Sequence, residues 1–430
     1  MSKPSSSAGA LRAAPAVAIA VIGAVLLAAA GLMLSRPDVA AVGLPLAVWA
    51  TLAVAAPSRE RGIELSADAD SGADSAALVD TLEVWSDAEA VELALVLSDG
   101  RMRRMLLPAR ARVVVKTKTQ HSGPLPTLAV AARAVEADGA LIGPPIEGPE
   151  LIRSVPPTAG MLSELPLNWQ LTGLHGGHDG DRQGQGGDFR DIHPFVPGDE
   201  LRRVDWRATA RAARRPGDLL VRRTDALSDA SVVIAMDTAD DLGTVVATWG
   251  RNDPARTGVT SLDHARAAAR TIAEAATASG DRVSCHTLAQ NGRSVRSGAG
   301  PRHLSRLVSA IAASGEGGDD ARFRRTPPIP HGAIVWVLST FFDGAATEIA
   351  LTWRAAGHRV VAVDVLPALD ETRLIPERQL ALRVLLAERA DMLEELRAAG
   401  IDTIAWHDDP ATAVAVLVRA GRRRSGGRMP

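Results

Sequence analysis

Two uncharged apolar stretches near the N-terminus constrain this chain more than any other feature. Ala13 to Ser35 runs for 23 residues and Val39 to Ser58 for another 20, with only Arg36-Pro37-Asp38 between them. Each is long enough to cross about 30 Å of hydrocarbon as a helix. A cleaved signal peptide would account for the first stretch alone, because Lys3 and Arg12 make a basic leader and Ala28-Ala29-Ala30 offers small residues for cleavage. A signal's apolar region is usually about 7–15 residues, however, and here a second stretch follows at once. The pair therefore reads as a transmembrane helical hairpin occupying residues 1–60. Lys3, Arg12, Arg59 and Arg61 flank its open end while Arg36 alone lies in the turn. The positive-inside rule then places the N-terminus and everything after residue 60 in the cytoplasm.

The remaining length suits two or three domains in a chain of 430 residues. Aromatics make up only 3% and tyrosine is absent, so the cores must be packed from Ala, Val, Leu and Ile. A formal charge of -2 argues against a surface that is one large nucleic-acid footprint, and no nucleic-acid partner is expected. Cys285 is the sole cysteine, which excludes an internal disulfide framework and any zinc cluster built on cysteine.

Residues 61–156 carry short β-type runs: Thr81 to Trp85, Val91 to Leu97, Met102 to Leu107, Val113 to Lys118 and Thr127 to Val135, with Asp99-Gly100 as a hairpin turn. This spacing suggests a small antiparallel β-sandwich-like domain. Residues 157–224 are rich in glycine and arginine, and their glycines argue against any continuous helix or central strand. Residues 225–420 change class. Apolar strands (Ser231 to Met236, Arg282 to Leu288, Ala333 to Leu338, Arg359 to Val365, Asp402 to Trp406) alternate with helical patterns, one of them Leu304, Leu307, Val308 and Ile311. Ser261 offers an N-cap for the first helix. Another helix is lined by Leu382, Leu385, Leu386, Leu393 and Leu396. The alternation predicts a doubly wound, mostly parallel sheet in an α/β domain. Residues 421–430 read as a basic disordered tail.

In such a sheet the ligand crevice lies beyond the carboxyl ends of the strands. Asp237 ends the first strand and Asp343 lies just past the strand that closes at Leu338, so the two carboxylates are expected to face one crevice. The layout resembles the von Willebrand factor A domain, whose metal site uses Asp-x-Ser-x-Ser after the first strand and a later Thr and Asp. Here the motif is Asp237-Thr238-Ala239-Asp240-Asp241. Ala239 supplies no oxygen, which leaves Asp237, Asp241 and Asp343 as candidate ligands for Mg²⁺ or another divalent cation. The plain structural alternative is that Asp237 caps the loop beyond its strand. The glycine-rich run His175 to Asp181 contains metal-ligating residue types, and it also reads as a solvated loop.

The most specific motif runs from Gly184 to Arg211. It contains Gly184 and Gly186, then Phe189-Arg190, Pro197-Gly198-Asp199, Arg202-Arg203, Asp205-Trp206, and Thr209-Ala210-Arg211. This run resembles the signature of the family called domain of unknown function 58, in which a glycine-rich loop leads to these same pairs and turns in the same order. The resemblance extends to the rest of the chain, since members look like paired membrane helices, a β-rich segment, the signature and a von Willebrand A-like domain. Between Arg182 and Arg223 there are ten arginines against six acids. Guanidinium groups pair with carboxylates and stack on aromatics, so the residues allow an internal clamp in which Arg190, Arg202, Arg203 and Arg207 pair with Asp188, Asp199 and Asp205. They equally allow a docking surface for an acidic partner protein.

No nucleophile elbow, P-loop or dinucleotide fingerprint is present. The expectation is a membrane-anchored, non-enzymatic interaction or adaptor protein. The family resemblance implies a MoxR-type AAA+ ATPase as partner, acting in assembly or maturation of envelope components. The alternative is a membrane-tethered metal-dependent hydrolase using Asp237, Asp241 and Asp343.

Overall fold

The computed structural model describes residues 5–55, 60–69, 78–136, 139–166, 178–197, 199–212, 215, 218–228, 230–250, 257–289, 292–317 and 326–426. The chain divides into two compact units.

The first unit takes residues 1–120, 125–153 and 253–255. It opens with strands β1 (Ser5–Ala10) and β2 (Arg12–Ala13), followed by helices α1 (Pro15–Met33), α2 (Pro37–Val42) and α3 (Leu44–Ala55). α1 and α2 begin on proline, whose fixed φ and missing N–H suit the first helical position. α1 is long and apolar enough to cross a membrane. The second apolar stretch is interrupted where the sequence suggested one continuous span: Gly43 separates α2 from α3. Small residues hold these helices together. A Cβ added at Gly31 would lie 2.7 Å from the Ala40 backbone nitrogen, so only glycine permits that approach.

Strands β3 (Glu60–Ala69), β4 (Leu78–Leu97), β5 (Met102–Thr117), β6 (Gly123–Glu136), β7 (Leu141–Ile142), β8 (Ile146–Glu147) and β9 (Leu151–Val155) complete this part of the chain. Among the described residues all nine strands belong to one sheet, with β1-β3-β4-β6-β7-β2 as its main path. The runs Thr81 to Trp85 and Val91 to Leu97 are two halves of the single strand β4. A register shift between Trp85 and Ala90 joins them, and β5 follows both halves while β3 pairs with the first and β6 with the second. The inward positions alternate along the strands, and Ile63, Leu65, Leu82, Val91, Leu93 and Leu128 fill the core.

The second unit takes residues 121–124, 154–252 and 256–430. β10 (His178–Pro194) and β11 (Leu220–Ser228) form an antiparallel ribbon, with α4 (Trp206–Ala212) between them in sequence. The glycines expected to prevent regular structure are accommodated by shifts in the ladder: Gly184 and Phe189 both lie opposite Thr224, so the residues between them bulge out.

The α/β part follows. It comprises β12 (Ser231–Asp237), α5 (Ser261–Ala278), β13 (Arg282–Leu288), β14 (Ser294–Gly298), α6 (Pro301–Ala312), β15 (Ile334–Ser339), α7 (Ala345–Ala355), β16 (Arg359–Asp364), α8 (Pro376–Ala398), β17 (Asp402–Ala405) and α9 (Pro410–Gly426). The strand order is β14-β13-β12-β15-β16-β17, parallel except for the β13–β14 hairpin. The order reverses direction at β12, which places a switch point between β12 and β15. One side of the sheet buries Ile234, Met236, Trp336 and Val361 with α5, and the other buries Val233, Val335, Ile349 and Leu396. Of the segment 421–430 read as a disordered tail, residues 421–426 are instead helical and Arg422 pairs with Glu164 at 2.7 Å, while residues 427–430 lie outside the described residues.

Candidate functional site

The switch point brings the ends of β12 and β15 together. Asp237 is the last residue of β12 and Ser339 the last of β15, and Ser339 Oγ donates to Asp237 Oδ2 at 2.6 Å. The Ala239 N–H donates to Asp237 Oδ1 at 3.1 Å, and the Phe341 N–H donates to Ser339 Oγ at 2.9 Å. Burial pushes the Asp237 carboxyl up to about 6; the Ser339 and Ala239 hydrogen bonds pull it down, while the nearby Asp343 and Asp240 charges raise it further. Phe341 is fully buried and holds a left-handed backbone, φ 56°, which a bulky residue adopts only where its surroundings enforce it.

Those surroundings include Arg389 of α8. Its Nε donates to the Thr340 carbonyl at 2.6 Å, its guanidinium pairs with Asp364 at the end of β16, and it lies 5.4 Å from the centre of the Phe342 ring. Phe342 in turn meets Trp249 edge to face at 6.1 Å.

The candidate ligands Asp237, Asp241 and Asp343 are separately engaged. Asp241 Oδ1 accepts from the Leu262 N–H at the start of α5, and Asp343 Oδ1 accepts from the Ala345 N–H at the start of α7. Among the described residues no group of three or more His, Cys, Asp or Glu side chains comes together as a metal cage. Each of these three carboxylates thus has an oxygen engaged by a backbone N–H in this arrangement. The sequence reading did not identify Ser339, the hydroxyl partner of Asp237. A serine immediately beyond a strand on the crevice side was the available signal.

The second site is the signature. Gly184, Gly186, Phe189 and Arg190 lie on β10, and the side chains of the last two fall outside the described residues, as does Gly198. From Phe195 onward the chain lies along the start of β11. Phe195 N–H donates to the Leu219 carbonyl, Asp205 N–H to the Leu220 carbonyl, and the Leu220 N–H to Thr209 Oγ1 at 2.9 Å. Asp205 caps α4 by accepting from the Arg207 and Ala208 N–H groups, and Asp199 accepts from the Val196 N–H behind Pro197. Thus Asp199, Asp205 and Thr209 shape the backbone.

The expected clamp takes a different form. Arg202 and Arg203 pair with Glu200 rather than with Asp199 or Asp205, and both partners of the Arg202 pair are largely exposed. Trp206 is 66% exposed and Leu201 64%. Arg207 and Arg211 on α4 are exposed as well. Asp199 and Asp205 accept from backbone N–H groups, and Trp206, Arg202, Arg207 and Arg211 face outward.

A third cluster was not anticipated. Asp263, on the first turn of α5, makes a capping box with Thr260. Its carboxylate also accepts from the Ser122 N–H at 2.7 Å and Ser122 Oγ at 3.0 Å, and lies 2.7 Å from His121 Nδ1. Buried Arg266 donates to the carbonyls of Ser122 and Ser314.

Comparison with curated proteins and with solved structures finds no match. A family model described as protein of unknown function DUF58 matches residues 191–380, which takes in the signature from Asp191 onward and the sheet as far as β16. By that match, the segment of this chain from residue 191 to residue 380 belongs to the DUF58 family.

Proposed function

We propose that this protein is a membrane-anchored, non-enzymatic adaptor whose arginine-rich signature docks an acidic partner protein. The observation that carries the reading is the exposure of Trp206 and Leu201 beside Arg202, Arg207 and Arg211. Aromatic and arginine side chains are the types that dominate protein interfaces, and an exposed tryptophan on a short, backbone-braced helix is ordered before any partner arrives. Ordering in advance lowers the entropic cost of association.

The apolar helix α1 supplies the anchor, and α2 with α3 forms the returning limb of the hairpin. The flanking charges favour a cytoplasmic position for the rest of the chain. The strand order and the crevice at the ends of β12 and β15 support a von Willebrand A-like reading of the α/β part. On the family resemblance, the partner is a MoxR-type AAA+ ATPase, and the clients are envelope components under assembly or maturation.

The test is co-sedimentation of the detergent-solubilised full chain with a MoxR-type ATPase. Binding that weakens as salt rises and is lost in an Arg207→Glu, Arg211→Glu variant is the expected result. Binding unaffected by the double charge reversal would remove the signature from the interface.

A further inference from the structure

The outward face of β5 carries charge of one sign only. From Arg101 to Lys118 the sequence has seven cations and no acid. Because side chains alternate along a strand, Met102, Arg104, Leu106, Pro108, Arg110, Arg112, Val114 and Lys116 share one face, and all are exposed. Leu106 is 65% exposed, Met102 59% and Val114 52%. On the neighbouring strand β4, Trp85 lies opposite Arg110 and Glu83 opposite Arg112. Glu92, opposite Leu106, is turned instead to Arg133 on β6.

Two ordinary explanations fall short. Charges guard a sheet edge against pairing with another chain, and among the described residues β5 pairs only with β4. A guard works with either sign, however, and gives no reason for exposed Met, Leu and Val between the cations. A solvated face gives no reason for those apolar side chains either.

The location within the first unit supplies the missing constraint. The Ala14 N–H, one residue before α1, donates to the Ala140 carbonyl at 2.8 Å, and Ala140 packs with Val17, Ala20, Ala50 and Ala53 of α1 and α3. The sheet end that carries this turn is therefore fixed to the apolar helices. β3 starts at Glu60, shortly after α3, and its Gly62 N–H donates to Asp87 in the bulge of β4. On the other side of that bulge β4 pairs with Pro108 and Arg110. The middle of β5 thus lies two strand spacings, about 10 Å, from the Gly62 end of β3, the first strand after the helices in the sequence.

We propose that the outward face of β5 binds the anionic headgroup layer of the bilayer that α1 enters, Arg104, Arg110, Arg112, Lys116 and Lys118 meeting phosphate oxygens while Met102, Leu106 and Val114 enter the interface. The inference rests on α1 being a membrane anchor. Near an anionic bilayer each such cation favours the bound state roughly five-fold, and the attraction fades within a Debye length. Docking of this face would hold the β-rich unit against the membrane in addition to its covalent tether.

Lys116 and Lys118 are, with Lys3, the only lysines of the chain, so amine acetylation reports directly on this face. The full chain is reconstituted into nanodiscs of phosphatidylcholine alone or of phosphatidylcholine with phosphatidylglycerol, and acetylation of Lys116 and Lys118 is followed by mass spectrometry. The expected result is several-fold slower modification in the anionic discs, abolished by high salt and by the Arg104→Glu, Arg110→Glu, Arg112→Glu variant. Salt makes the same test without any substitution. Equal rates in the two lipids would overturn the proposal, as would protection by soluble polyglutamate but not by anionic lipid, which would assign the face to an acidic protein. A chain that fails to enter discs at all would overturn the anchor and this proposal together, a result distinct from equal rates in a chain that does insert.

Discussion

The Asp263 carboxylate lies 2.7 Å from Nδ1 of His121, a residue 142 positions earlier in the sequence. Burial alone would raise the Asp263 carboxyl, but the His121 contact and the N–H groups of Ser122 and Thr260 outweigh it, so the group titrates below the usual range. A carboxylate depressed in the folded state contributes stability that is present above its unfolded value, near 4, and lost as pH falls through the lower folded value. His121→Ala removes one partner from a buried anion and is expected to cost about 1–3 kcal/mol at neutral pH. Gly123 beside it has φ 91°, and a Cβ there would lie 2.4 Å from Arg266 Cζ, so Gly123→Ala should destabilise as well. Chemical denaturation of the full chain in detergent checks both, and wild-type stability in either variant would contradict this reading.

Asp237 gives the opposite sign. Its carboxyl is raised to about 6, so ionising it in the folded protein is unfavourable above its unfolded value. Stability should therefore rise as pH falls from about 6 toward 4, before other carboxylates protonate. Asp237→Asn keeps a group of the same shape and removes the charge. Allowing for its partial contact with solvent, the substitution should stabilise the protein by about 1–2 kcal/mol at pH 7 and flatten the pH dependence between 4 and 6. Melting curves across that interval decide it. A destabilised Asp237→Asn protein would mean that the anion is required, as for a bound cation, and millimolar Mg²⁺ would then raise the melting temperature of the parent.

Arg389 joins two segments that the crevice needs: the end of β16, through Asp364, and the loop after β15, through the Thr340 carbonyl and the Phe342 ring. Arg389→Ala leaves a largely buried carboxylate and a carbonyl without their cation, and should cost about 3–5 kcal/mol. Hydrogen exchange in the 339–344 segment should increase more than exchange in β12. Uniform behaviour across the sheet would show that the arginine does not hold that loop.

β12, β15 and β16 were legible because each is a short apolar run rich in β-branched residues and closed by a polar one, as in Val232 to Asp237. Helix α5 was legible too, although its cap is Thr260 rather than Ser261, the Thr-x-x-Asp box having fixed the start one residue earlier. Periodicity misled where a helix face is only part covered: Leu382, Leu393 and Leu396 of α8 are buried, but Leu385 remains exposed. Ser5 to Ala13 carries no strand pattern of its own, and its pairing with β3 and β7 is set by partners far along the chain. The β10–β11 ribbon was hidden for a similar reason, because glycine-rich segments pair only when a partner strand imposes a register. His121 could not be linked to Asp263 by any local signal.

The adaptor reading turns on whether Trp206 serves a partner or the fold. The direct measurement is thermal melting of the full chain carrying Trp206→Ala. An exposed ring predicts a change within about 0.5 kcal/mol of the parent. A loss of about 3–5 kcal/mol, the cost of emptying a buried aromatic site, would contradict it and return the signature to an internal clamp.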